Sequence, residues 1–134
     1  MKLKNIIPVI LLLTSSLALT AQEQTRIPAG ISIAFKAGNA AELSKYLNST
    51  VELTLLDKED FYKKNVAEAI LKDFFISYPT KDFIISHQGS NNNAQYAIGN
   101  QMTERGNFRV YFLLKKVDQD LLIHQIRIET ENGK

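Results

Sequence analysis

Cysteine is absent from all 134 residues. Its absence excludes disulfides, thiolate metal ligands, a cysteine nucleophile and the lipid-bearing cysteine of a bacterial lipoprotein. An apolar run capable of spanning a bilayer is lacking as well. Ile6 to Leu19 is 14 residues long and is interrupted by Pro8 and Ser15-Ser16, whereas a membrane helix needs about 20. Basic excess is small: the formal charge is +2, and Lys2 and Lys4 alone account for it. Without those two the chain is neutral, which gives no electrostatic footprint for nucleic acid. A glycine-rich phosphate loop and a nucleophile-elbow serine are also missing. Asp57, Glu59 and Asp60 lack the ordered oxygen spacing of a calcium loop, so they read as a solvated turn.

What is present begins with an address. Lys2 and Lys4 precede the apolar run, and "ALTAQ" closes it with small residues. That layout is a secretory signal peptide cut near Ala21, covering residues 1–21. It places the mature protein in a periplasm or the medium, and a domain without disulfides suits a bacterial host. Residues 22–26 form a polar lead-in, and 27–134 are enough for one domain with its own core. "NST" at Asn48 matches a glycosylation acceptor, which matters little in a bacterial protein.

Pro28 suits the start of a helix, and Ile31, Ala34 and Phe35 recur at helical spacing before Gly38 stops the run. Asn39 and Glu42 form a capping box for a second short helix with Leu43, Tyr46 and Leu47 on its apolar side. "VELTLL" at 51–56 alternates as a strand, and "DKED" reads as a loop. Asn65 and Glu68 repeat the cap at the head of a long helix. Its stripe of Val66, Ala67, Ile70, Leu71, Phe74, Phe75 and Tyr78 ends at Pro79. Four strands follow at about 82–89, 94–103, 107–117 and 121–129. The order predicts an α+β domain: two short N-terminal helices, one strand or hairpin, one long helix, then a four-strand antiparallel meander.

Hairpin loops convert to register. Reading "SNNN" as a four-residue loop and "ERG" and "DQD" as three-residue loops sets Ile85, Ile98, Phe112 and Ile126 in one row. Phe83, Asn100, Val110 and Ile128 flank that row beneath the long helix. The opposite face then carries Ile84, Tyr111, Leu113 and Ile123, a modest apolar patch offering a homodimer contact, with Tyr111 covering Gly99.

The same register aligns His87, Tyr96, Leu114 and His124 at one end of the covered face. His87, Tyr96 and His124 there either cap the core with their polar tips wet or line the mouth of a pocket between sheet and helices, with Asn100 further along. The two histidines stand about 14 Å apart across the strands, too far to share a metal. No metal and no cofactor are expected, and no base faces a nucleophile.

The element order resembles the nuclear transport factor 2-like, or cystatin-like cone, superfamily, whose curved sheet wraps its helices around a conical cavity. "YKKNVAEAILKDFF", "HQGS", "AQYAIGNQMTERGNFRVYFLLKK" and "LLIHQIRIE" resemble an uncharacterised family of small exported bacterial proteins, a domain of unknown function. The resemblance implies a fold and an export route but no reaction. Ketosteroid isomerases share the architecture, yet their cavity carboxylate has no counterpart on the core-facing positions read here. Three functions are consistent with the sequence. One is a non-catalytic exported binding or accessory domain for an unknown small molecule or protein partner. Another is a small isomerase or lyase using a histidine for proton transfer, and the third is a structural dimerisation domain without ligand.

Overall fold

The computed structural model describes residues 27–131. The segments at 1–21 and 22–26 lie outside the described residues. Helix α1 (Ala29–Ala37) starts after Pro28 and ends at Gly38, whose φ of 61° is the left-handed conformation glycine adopts freely. The amides of Gly38 and Asn39 close on the Phe35 and Ala34 carbonyls, at 3.1 and 2.9 Å, which satisfies the end of the helix. Asn39 Oδ1 then accepts the Glu42 amide at 3.1 Å and opens α2 (Ala40–Ser44). Glu42 does not reach back to complete the box; its carboxylate takes Lys45 Nζ at 2.9 Å instead. Leu47 is not helical but begins β1 (Leu47–Leu55).

Beyond β1 the structure takes the hairpin alternative, and most of "DKED" is strand rather than loop. Only Leu56 and Asp57 form the turn, and Lys58–Lys63 is a strand, β2, paired antiparallel to β1. Its residues are almost all exposed, so no apolar alternation marked it in the sequence. Helix α3 (Lys64–Ser77) follows directly from β2, with Lys63 in the cap position and no side-chain cap bond. Asn65 therefore lies within the first turn rather than capping it. The buried stripe comprises Ala67, Leu71, Phe74 and Phe75, while Val66 is exposed. Tyr78 closes the helix before Pro79, donating its amide to the Phe74 carbonyl at 2.9 Å.

The meander is formed by β3 (Thr80–Asn91), β4 (Ala94–Thr103), β5 (Gly106–Val117) and β6 (Asp120–Thr130). It does not stand alone. Among the described residues all six strands make one mixed sheet in the order β2-β1-β6-β5-β4-β3, with β1 parallel to β6. Each hairpin turn is two residues long: Asn92-Asn93, Glu104-Arg105 and Asp118-Gln119. Asn92 and Asp118 take φ of 53° and 57°, as short polar side chains tolerate. The longer loops inferred from sequence were thus wrong.

The consequence falls on β4 and on the strand ends beyond the two bulges, at His87 and Ile123. Phe112 pairs with Ala97 rather than Ile98, and Ile85 with Gly99. The two one-step differences cancel across β4, so Ile85, Phe112 and Ile126 still point inward while β4 is turned over. Ala97, Gly99 and Gln101 face the helices, and Ile98 and Asn100 face away. Phe112 does pair with Ile126, because a bulge at His124 restores the residue that the shorter turn removes.

The helices cover one face of the sheet. Helix α1 lies over β3, α2 packs on α3, and α3 leans on β1 and β2. At the centre, Phe35 stacks on Phe83 and Phe112 at 4.8 and 5.8 Å between ring centroids and meets Phe75 edge-on at 6.2 Å. Burial of this kind contributes about 1.5–3 kcal/mol per large side chain, so these rings fix the sheet beneath the helices.

Candidate functional site

The residues singled out in the sequence do not converge. His87 lies exposed on the uncovered face opposite Ile98, with Nδ1 3.3 Å from Ser86 Oγ. His124 occupies the β6 bulge, half-buried, with Nδ1 2.9 Å from the Leu122 carbonyl. A carbonyl only accepts, so that nitrogen carries the proton. Neither ring has a carboxylate partner among the described residues, where no group of three or more metal-ligating side chains occurs either. Tyr96 lays its ring over Gly89 on the uncovered face and stacks on Tyr111 at 6.4 Å. Asn100 is on that face too, opposite Arg109. The buried polar position belongs to its neighbour Gln101, whose Nε2 donates to Thr80 Oγ1 at 2.8 Å.

The proposed patch keeps three of its four members. Ile84 is 50% exposed, and Tyr111 and Leu113 share its face half-buried. Ile123 does not belong there: it pairs with Leu114 inside the core, fully buried, and donates its amide to the Tyr46 carbonyl at 2.7 Å. The His124 bulge reverses the alternation and turns Ile123 inward. Gly99 is covered by Phe83 from the inner side, not by Tyr111. The sequence reading missed Phe61, 66% exposed, opposite Glu52 on the uncovered face.

Charge is distributed unevenly over this face. Arg109 and Arg127 border a shallow basin of about 200 Å³ with Ile98, Tyr111 and Glu129. Toward β1 and β2, Glu52 and Glu59 share a hydrogen bond that raises the Glu52 pKa; partial desolvation and the Glu59 charge add to it, and Arg127 opposes it.

Concave surface lies at the other end of the sheet from His87 and Tyr96. The β1–β2 hairpin stands off from α3 and leaves a cleft of about 370 Å³. Leu53, Leu55, Ile70 and Phe74 form its apolar floor, Tyr62 and Tyr78 its walls, and Lys58 and Asp73 part of its rim. Leu56 and Tyr78 also border a second basin of about 460 Å³, which holds Arg105, Asn107, Thr130 and Glu131. Phe74, Tyr78 and Phe108 pack mutually, with centroids 4.8–5.1 Å apart, as a ridge between the two. Arg105 Nη1 donates to the Ser77 carbonyl at 3.2 Å, and the guanidinium sits 5.5 Å from the Tyr78 ring. A cation at the carbonyl end of α3 is favoured by the helix dipole. With "DKED" read as a turn or loop, the only trace of this cleft in the sequence is Tyr62 and Tyr78, amphipathic residues at the two ends of α3.

Among the described residues, one curved mixed sheet of six strands backed by three helices has the nuclear transport factor 2-like fold. The chain superposes on such a protein of unknown function from Shewanella baltica with a TM-score of 0.57 at 15% identity, over 76% of this chain and 86% of that one. Residues 28–129 match the family described as domain of unknown function DUF4783. The chain belongs to that family. The crystal structure of a family protein from Bacteroides ovatus shares 41% identity with it, with a TM-score of 0.76 over 78% of this chain and 94% of that one. A family protein from Bacteroides uniformis shares 39%, with a TM-score of 0.75 over 78% and 97%. No curated protein matches the sequence.

Proposed function

We propose that this domain is a non-catalytic binding module that acts outside the cytoplasm, after removal of residues 1–21, and holds a small apolar molecule between the β1–β2 hairpin and α3. The observation that carries the reading is the cleft of about 370 Å³ with its floor of Leu53, Leu55, Ile70 and Phe74. Ligand sites are concave, largely apolar and equipped with a few polar groups at the margin. Two histidines without carboxylate partners among the described residues favour binding over proton transfer.

A neutral fluorescent probe tests it. N-phenyl-1-naphthylamine is expected to bind the mature protein with enhanced emission. Ile70→Trp, which fills the floor, weakens that binding by about tenfold or more, equivalent to 1.4 kcal/mol. Undiminished binding to an Ile70→Trp variant with native circular dichroism, or no binding to the parent protein, rejects the reading.

The uncovered sheet face favours self-association as a second reading. Ile84, Tyr111, Leu113 and Phe61 give it apolar area. A twofold axis through this patch makes the contact isologous, each copy offering the same side chains. Light scattering across a dilution series is expected to give a dimer mass that Leu113→Arg converts to monomer. A strict monomer at high concentration excludes this interface.

A further inference from the structure

The two basins beside Tyr78 differ in chemistry. The one between the hairpin and α3 is floored by apolar side chains, whereas the one beyond the ridge presents Arg105, Asn107 and Glu131. They share Leu56 and Tyr78, so a molecule lying across that ridge reaches both.

Arg105 is held in place by few contacts. It spends one N–H on the Ser77 carbonyl and rests over the Tyr78 ring, while a guanidinium has five donors in a planar fork. Three other cations are occupied: Lys36 pairs with Asp82, Lys45 with Glu42 and Arg127 with Glu129. Neither Arg105 nor Lys58 has a carboxylate within ion-pair distance among the described residues. A carboxylate matches the fork of Arg105 with two parallel N–H···O bonds. Asp73 on the rim and Glu131 in the polar basin repel additional negative charge, which restricts the head to a single one.

We propose that the occupant of the cleft is an amphipathic monocarboxylate, its apolar body on the Leu53, Leu55, Ile70 and Phe74 floor and its carboxylate on Arg105 across the Tyr78 ridge. This rests on the cleft reading above and adds the chemical class of its ligand.

Displacement of the neutral probe by decanoate, decanol and decylamine at neutral pH distinguishes the two. Decanoate is expected to displace it at about fivefold lower concentration than decanol, a gain held to that size because Arg105 is solvent-exposed. Arg105→Gln removes the decanoate advantage and leaves both probe binding and decanol displacement unchanged, which also shows the variant to be folded. Equal potency of decanoate and decanol, or an advantage that survives in Arg105→Gln, overturns the carboxylate assignment while the cleft stands. Preferential binding of decylamine overturns it too, assigning the head-group position to Asp73 or Glu131. Failure of all three to displace bound probe brings down the cleft reading as well.

Discussion

Phe35→Ala lowers the unfolding free energy by about 3–5 kcal/mol, the cost of removing a fully buried aromatic ring and leaving a cavity. Phe35 is inaccessible to solvent and touches three other rings, at 4.8, 5.8 and 6.2 Å between centroids. Geometry of this kind adds to area burial. A domain of this size has about 5–15 kcal/mol of total stability, so the variant sits close to the limit of folding. Urea titration followed by circular dichroism reads the change as a lower midpoint at constant slope. Ile33→Ala on the same helix is the control: Ile33 is 65% exposed, and its loss is expected to stay within about 0.5 kcal/mol. A Phe35→Ala cost under about 1 kcal/mol contradicts the packing described.

Gly99→Ala is expected to cost about 1–3 kcal/mol by overpacking. A Cβ at Gly99 would lie 2.5 Å from Phe83 Cζ and 3.2 Å from the Ile84 carbonyl oxygen. The ring stacks on Phe35 at 4.8 Å, which resists its displacement, and the carbonyl belongs to the neighbouring strand. The double-mutant cycle with Phe83→Leu makes the test specific. If the ring is what the methyl meets, the two changes together destabilise by less than their sum, with a coupling of about 0.5–3 kcal/mol. Strict additivity places the conflict elsewhere. The outcome also reports the turned-over β4, since in the register read from sequence Gly99 faces away from the helices.

Much of the fold was legible because several signals agreed. Gly38, Asn39 and Pro79 mark helix ends by backbone chemistry that acts within a few residues, and all three do so in the structure. Strand positions came from alternation and were close. Register was harder, for physical reasons. "SNNN" offers three asparagines, each able to take a positive φ, so composition does not choose which pair makes the turn. Gly106 suits a turn equally well, but it pairs with Thr103 as the first residue of β5. The bulges at Ser86 and His124 leave no local mark, because they are set by what the opposing strands bury. The cleft was invisible for a related reason. It exists because β2 stands beside α3, and "KEDFYK" carries the exposed, charged composition of a loop while its backbone is fixed by β1.

That composition bears on how the molecule avoids joining itself into fibres. β2 and β3 are the two edges of the sheet, where unpaired backbone groups invite another chain to add a strand. β2 meets solvent with Lys58, Glu59, Asp60 and Lys63, and β3 is broken twice by bulges, after Thr80 and after Ile85. Charge at one border and irregular pairing at the other both oppose edge-to-edge polymerisation, so growth of the sheet from copy to copy is blocked in either direction.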